Sequence, residues 1–224
     1  MHKRAGLALV ALLALTVGLV AQSTGVHPLS GRRFAQVMGY QGADWLERNE
    51  RVEEERPDVA LSALQLTAGA VVADVGAGSG YMTAPMAKLV GPSGRVYASD
   101  IQPEMLALLQ QRIVRDKITN IVPVLGTIDD PKLPVNTLDL ILMVDVYHEF
   151  QQPQRMLRRM HEALKPEGRL VLLEYRKEDP SIPIRPEHKM SVAEAKLEVE
   201  AEGFTLAKVE NMLPRQHILI FTRR

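Results

Sequence analysis

From residue 70 onward, short apolar runs alternate with stretches of helical period. The runs at 70–75 (AVVADV), 95–99 (RVYAS), 121–125 (IVPVL), 138–144 (LDLILMV) and 169–174 (RLVLLE) are rich in Val, Leu and Ile and have strand length. Between them, residues 81–90, 103–116 and 153–165 read as helices, with Pro103 and Pro153 suited to first-turn positions. Lys165-Pro166-Glu167-Gly168 predicts a helix stop before the fifth strand. Nearly continuous apolar strands separated by helices predict a parallel sheet covered on both faces, a doubly wound α/β domain.

Beyond the fifth strand the pattern changes. Ser191 and Glu194 form a capping box for a helix over 192–202, closed by Gly203. Residues 204–210 and 216–222 read as strands, and the short link between them makes the pair antiparallel. The connection 176–190 holds Pro180, Pro183 and Pro186 and is long for a segment without regular structure. Upstream, the polar stretch 31–58 carries the chain's single Trp and predicts one or two helices lying over the domain.

The first residues have the form of an export signal. His2, Lys3 and Arg4 precede an uncharged run of 16 residues from Ala5 to Val20, followed by Ala21-Gln22-Ser23. A straight membrane-crossing helix needs roughly 20 residues, which favours a cleaved signal over a permanent anchor. The expected division is therefore 1–23 signal peptide or membrane anchor, 24–59 helical cap or lid, and 60–224 the α/β domain. It predicts an exported or membrane-anchored protein, with any membrane association made through the N-terminal segment.

Composition removes several functions. Lys plus Arg equal Asp plus Glu at 27 each, mixed along the chain, so there is no electrostatic footprint for nucleic acid. Aromatics at 4% leave few platforms for base stacking. Cys is absent, which excludes disulfides, thiolate metal sites and a cysteine nucleophile. The six His residues show no metal-ligand spacing, and no metal is expected.

The first predicted strand ends in Asp74 and runs into Gly76, Gly78 and Gly80. A dinucleotide fingerprint would place its third glycine at 81, where Tyr81 stands. An acidic strand end suits a ligand carrying an ammonium or sulfonium better than one carrying a pyrophosphate. Asp100, closing the second strand, is placed to accept hydrogen bonds from ribose hydroxyls, a feature common to several nucleoside binders.

With Asp74-Val75-Gly76-Ala77-Gly78-Ser79-Gly80, Asp100, "LDLILMVDVYHEF", "LKPEGRLVLLEY" and the terminal antiparallel pair, the sequence resembles the class I S-adenosylmethionine-dependent methyltransferases over about 60–224. Within them it is similar to the small-molecule branch that includes the ubiquinone/menaquinone C-methyltransferases. The resemblance implies a Rossmann-like sheet of seven strands, mostly parallel with an antiparallel last strand. It implies S-adenosylmethionine as cofactor and a small-molecule acceptor. It assigns cofactor contacts to Asp74, Gly76, Ala77, Gly78, Gly80, Tyr81, Asp100, Ile101, Ile128, Asp129 and Asp145, with Asp130 competing for the place of Asp129.

After the fourth strand, His148 is the candidate general base, with Tyr147 or Glu149 orienting it or the substrate; packing of the next helix is the equal alternative. The Asn-Pro-Pro-Tyr motif of relatives that methylate bases and amides is absent here, and arsenite methylation lacks its thiols. Trp45, Glu47, Arg48 and the run Glu53 to Arg56 form either a lid or, more commonly for such a run, a solvated helix face. Glu174 and Tyr175 close the fifth strand at the ligand edge in what is commonly a structural position, and His188, at the end of the long connection, either reaches the site or, more commonly for such a place, lies at the surface. Two rival functions remain at this level: a nicotinamide-dependent oxidoreductase, disfavoured by Asp74 and Tyr81, and a non-catalytic S-adenosylmethionine-binding protein.

Overall fold

Period-two alternation decides how the apolar runs settle. In the computed structural model, which describes residues 25–224, they form β1 (Val71–Val75), β2 (Arg95–Asp100), β3 (Ile121–Leu125), β4 (Leu138–Val144), β5 (Leu164–Tyr175), β6 (Phe204–Glu210) and β7 (Gln216–Arg223). One sheet results, in the order β3-β2-β1-β4-β5-β7-β6. The first five strands pair in parallel, and β7 lies antiparallel between β5 and β6. The helices are α1 (Ala43–Leu46), α2 (Arg51–Glu55), α3 (Pro57–Ala63), α4 (Thr83–Val90), α5 (Pro103–Arg115), α6 (Pro153–Ala163) and α7 (Val192–Glu200).

Both faces of the sheet are buried, so the strands read as continuous apolar runs. Val72, Leu140, Leu142 and Val171 pack with Met86 of α4 and Leu109 of α5. Their neighbours Ala73, Ile141, Met143 and Leu172 pack on the opposite face with Leu157 of α6 and Val199 of α7. The capping box at Ser191 and Glu194 forms, with each residue's side chain accepting from the other's backbone N–H.

Two expectations about elements need correction. Lys165 to Gly168 is not a break between helix and strand: α6 ends at Ala163 and β5 begins at Leu164. Leu164 already pairs with Leu138, and the ladder resumes at Leu140 with Arg169, so the four residues are accommodated as an irregularity inside the strand. A Cβ at Gly168 would lie 2.8 Å from the Leu138 carbonyl oxygen, which explains the glycine. The N-terminal stretch, in turn, forms three short helices after a 3-10 turn at Tyr40–Gly42 rather than one or two longer ones.

Among the described residues no helix is long and apolar enough to cross a membrane. The longest, α5, has 13 residues, against roughly 20 needed. On this finding the expectation of an exported or membrane-anchored protein is corrected. The apolar run that suggested it lies outside the described residues.

Residues before α1 are tied down by a buried charge. The Arg32 guanidinium donates to both Glu198 oxygens, Nε at 2.8 and 3.1 Å and Nη2 at 2.9 Å, and through Nη1 to the His148 carbonyl at 3.0 Å. Glu198 also accepts from the Tyr147 hydroxyl at 2.9 Å and from Ser30. All of these side chains except Ser30 are buried. Removing the cation leaves a buried carboxylate uncompensated. Arg32→Ala is therefore expected to destabilise the protein by about 3–5 kcal/mol, measured as a shift in the urea unfolding curve.

Asp74 is the second buried charge that bears on stability. Its Oδ2 accepts from Thr83 Oγ1 at 2.6 Å, joining the end of β1 to the start of α4. Burial pushes its carboxyl up to about 6; the Thr83 bond and Arg51 oppose the rise and the Asp100 charge adds to it. A carboxyl raised in the folded state contributes its stability below the unfolded value near 4, and that contribution is lost as pH rises towards 6. Urea unfolding of Asp74→Asn and wild type at pH 4.5 and 7 is expected to show the variant gaining relative to wild type at the higher pH, by about 2–3 kcal/mol at most.

Candidate active site

Because β1 is flanked by β2 on one side and β4 on the other, the loops leaving β1 and β4 part at the carboxyl edge of the sheet. A cavity of ≈ 630 Å³ opens there, within the range of small-molecule sites. Its walls come from the glycine loop, the ends of β2 and β4, the loop after β3, the N-terminal cap and the strap between β5 and α7.

The glycine loop meets it through Gly76 and Gly78. Gly76 has φ 75°, and a Cβ there would sit 2.5 Å from Val146, so only glycine passes. Gly78 N–H donates to Asp100 Oδ2 at 2.8 Å, while Gln102 N–H donates to Oδ1 at 2.9 Å. Burial raises the Asp100 carboxyl and these backbone donors pull it back. Asp100 thus faces the cavity with a fixed orientation, beside Ile101.

Other sequence-assigned cofactor residues stand back from the cavity wall. Asp74, Ala77, Gly80 and Tyr81 do not line it. Asp74 supports the loop from beneath, and Tyr81 lies under the Arg51 guanidinium, 4.1 Å from ring centroid to Cζ. After β3, Ile128 lines the cavity but Asp129 does not. Asp129 is drawn towards α6 by Arg155 at 3.0 Å and accepts from Thr127 at 2.7 Å, which holds its carboxyl below the usual range. Its competitor Asp130 is likewise engaged, by Lys132 at 3.0 Å.

At the end of β4, Asp145 adopts φ 51°, a left-handed conformation uncommon for non-glycine residues, in which the backbone turns out of the strand. Gln216 Nε2 donates to its Oδ2 at 2.6 Å, and its buried Oδ1 has no partner among the described residues. Burial, with the charges of Glu55 and Glu174 nearby, pushes this carboxyl well up. An unpaired buried acceptor on a cavity wall is incomplete without a donor.

The 3-10 turn Tyr147–Glu149 follows. Tyr147 does not face the cavity: its ring is fully buried and its hydroxyl serves Glu198, because Arg32 and Glu198 form the polar partner within its reach. His148 does line the cavity, with Nδ1 2.6 Å from Glu174 Oε2 and Nε2 3.2 Å from His188 Nδ1. Glu149 accepts from Met38 N–H at 3.2 Å, and burial pushes its carboxyl up to about 7 against the pull of His148.

Sequence reasoning undervalued two of these residues. Glu174 is wholly buried and also accepts the Tyr147 N–H at 2.9 Å, and His188 lines the cavity. The usable clues were a Glu closing an apolar strand at the ligand edge and a His ending a long proline-rich connection. The scattered spacing of the histidines likewise hid a cluster: His148, Glu149 and His188 bring one ligand atom each within 4.8 Å of one another. The charge run of the cap is not simply solvated either. Arg51 and Glu55 are buried and bonded at 2.6 Å, and Tyr175 Oη donates to Glu55 at 2.9 Å. Glu53 and Arg56 are exposed, as a solvated face requires. Trp45, Leu46 and Arg51 line the cavity, and Glu47 ties the cap to Ser79 and Arg112.

The donor set fits a nucleoside sulfonium. It offers a carboxylate beside exposed apolar Ile101 and Ile128 and a second carboxylate with an unpaired oxygen.

Known proteins agree with this geometry. Residues 73–172 match the family model described as a methyltransferase domain. The ubiquinone/menaquinone biosynthesis C-methyltransferase UbiE of Pasteurella multocida (strain Pm70) is 34% identical over 116 residues, covering 49% of this chain and 41% of the relative. UbiE of Methylococcus capsulatus (strain ATCC 33009 / NCIMB 11132 / Bath) is 34% identical over 119 residues, covering 52% and 48%. The chain thus spans less than half the length of these curated relatives. The crystal structure of a SAM dependent methyltransferase from Aquifex aeolicus superposes with a TM-score of 0.79 at 26% identity, covering 84% of this chain and all of that one. Sheet order, glycine loop and these matches together mark residues 73–172 as a methyltransferase domain and make the chain similar to the class I S-adenosylmethionine-dependent methyltransferases, the UbiE C-methyltransferases among them.

Proposed function

We propose that this chain transfers a methyl group from S-adenosylmethionine to a small, largely apolar acceptor that must lose a proton to react. Residues 60–224 act as the catalytic domain and 24–59 as its cap. The observation that carries the proposal is the cavity at the parting of β1 and β4, walled by the fixed Asp100 carboxylate and the unpaired Asp145 oxygen and continuing to His148 and Glu149.

When bound, S-adenosylmethionine supplies an electrophilic methyl group for in-line displacement, a reaction governed by how well the two reactants are positioned. Asp100 accepts from the ribose hydroxyls, and Ile101 and Ile128 cover the adenine. Asp145 Oδ1 receives the ammonium of the methionine portion, beside the open backbone of Gly76 and Gly78. Asp74 and Gly80 keep the loop in shape from behind. The acceptor lies against Phe150, Pro183 and Ile184, with its ionising group at the His148–Glu149 end. Glu174 accepts a hydrogen bond from His148 Nδ1–H, which leaves the Nε2 lone pair on the side of His188. The oxidoreductase alternative has no support, since the loop lacks the third fingerprint glycine and the matched family model is a methyltransferase domain.

Calorimetric titration of the full-length protein with S-adenosylmethionine, S-adenosylhomocysteine and NAD is the direct check. Micromolar binding of the first two and none of NAD is expected, and Asp100→Ala weakens it about 10–100-fold, as loss of charge-assisted hydrogen bonds requires. Binding of NAD alone would refute the proposal. A second measurement separates catalysis from mere binding. His148→Ala is expected to lower S-adenosylhomocysteine release, assayed over a panel of phenolic and quinol acceptors, by at least about 100-fold, while S-adenosylmethionine affinity changes less than about threefold. Equal losses in both quantities would mean that His148 only supports the cofactor pocket.

A further inference from the structure

Three potential ligands converge at the acceptor end of the cavity from two distant parts of the chain. His148 and Glu149 stand on the turn after β4, and His188 is delivered by the strap between β5 and α7. The strap is a built segment: Met190 N–H donates to the Tyr175 carbonyl at 3.0 Å, and buried Lys189 donates to the carbonyls of Asp179 and Ile182 at 3.0 and 2.7 Å.

One ligating atom from each of the three lies within 4.8 Å of the others, and His148 Nε2 is 3.2 Å from His188 Nδ1. Two imidazole nitrogens bound to one ion at about 2.1 Å, with angles between right and tetrahedral, stand roughly 3.0–3.4 Å apart. The outer contacts have the form that metal-bound histidines use. Glu174 Oε2 lies 2.6 Å from His148 Nδ1, and its Oε1 is fixed by the Tyr147 N–H. That arrangement places the proton on Nδ1 and frees Nε2 to ligate. Glu149 is steadied through Oε1 by Met38 N–H, leaving its other oxygen for an ion.

We propose that His148 Nε2, His188 Nδ1 and the Glu149 carboxylate form a site for a divalent first-row transition ion, with its remaining coordination positions open to the acceptor. Two imidazoles and one carboxylate suit Zn(II), Fe(II), Co(II) or Mn(II) rather than the all-oxygen cations. On binding, the proton shared between the two imidazoles moves to His188 Nε2, so both ligating nitrogens are unprotonated. No electron is transferred. An acceptor hydroxyl entering an open position loses its proton to solvent, and the resulting oxyanion is the activated form of the acceptor. The role of the ion in ionising the acceptor rests on the methyltransfer proposal; the ion site itself does not. His148 then works as a ligand rather than as a free base.

The test is titration of full-length, chelator-treated protein with Zn(II) by calorimetry and with Co(II) by visible absorption, run beside an S-adenosylmethionine titration of the same sample. One equivalent binding at micromolar concentration or tighter is expected, with the intense Co(II) absorption of a low-coordinate site. His188→Ala should weaken binding at least about 100-fold, and Glu174→Gln, which keeps all three ligands, about 10–100-fold. His161→Ala, outside the cluster, should leave it unchanged. His188 sits on the strap and not in the core, so its variant is informative even where a His148 variant fails to fold. Binding no tighter than millimolar, or binding indifferent to His188→Ala, overturns the proposal. Ion binding without S-adenosylmethionine binding would instead leave this site standing and refute the methyltransfer proposal.

Discussion

The turn after β4 is held by one buried carboxylate, and most of the site hangs on that turn. Glu174 closes β5 with no exposed surface, accepting the Tyr147 backbone N–H and facing the His148 ring nitrogen. A buried carboxylate with both oxygens engaged costs far less than an unpaired one. The strand pairing of β4 with β5 brings it into reach, and the turn supplies its partners. The same contacts fix the ring orientation and tautomer of His148 and therefore the direction in which the cavity meets a lone pair.

Around that turn the chain spends further buried charge. Arg32 holds the opposite side of it through the His148 carbonyl, and Glu198 neutralises Arg32 from α7. Replacing such networks by apolar side chains is often neutral or favourable for stability, so their presence is better explained by specified geometry. Here the geometry specified is that of a three-residue turn carrying His148 and Glu149, gripped from the N-terminal segment, β5 and α7 at once.

The central strands were legible because burial on both faces leaves a strong apolar signature, and the glycine loop because close approach to Val146 admits no side chain at Gly76. The capping box at Ser191 is a local interaction and was equally readable. What sequence could not supply was direction. Tyr147 and His148 are adjacent, yet one ring faces Glu198 and the other the cavity, a choice made by Arg32 more than a hundred positions away. Asp129 looks like a ligand-facing acid until α6 brings Arg155 against it. His188 reads as a surface residue because nothing local reveals that the strap folds back over the sheet edge. Long-range pairing decides each of these, and single-sequence patterns carry only short-range information.

One consequence concerns how a ligand would enter. The cap is joined to both ends of the cavity by polar contacts: Gln102 receives the Tyr40 N–H at 2.9 Å and donates to the Met38 carbonyl at 3.0 Å near Asp100, while Met38 N–H meets Glu149 near His148. These are single hydrogen bonds at partly exposed positions, each worth about 1 kcal/mol net. The anchor at Arg32, by contrast, is fully buried. Ala35, buried and donating its N–H to the His148 carbonyl at 3.0 Å, extends that anchor, so the segment between Ala35 and α1 is the weakly held part of the wall. Opening there would release Met38 from Glu149 and Gln102 together, so access to the Asp100 end and to the His148 end of the cavity is coupled through one short stretch of backbone.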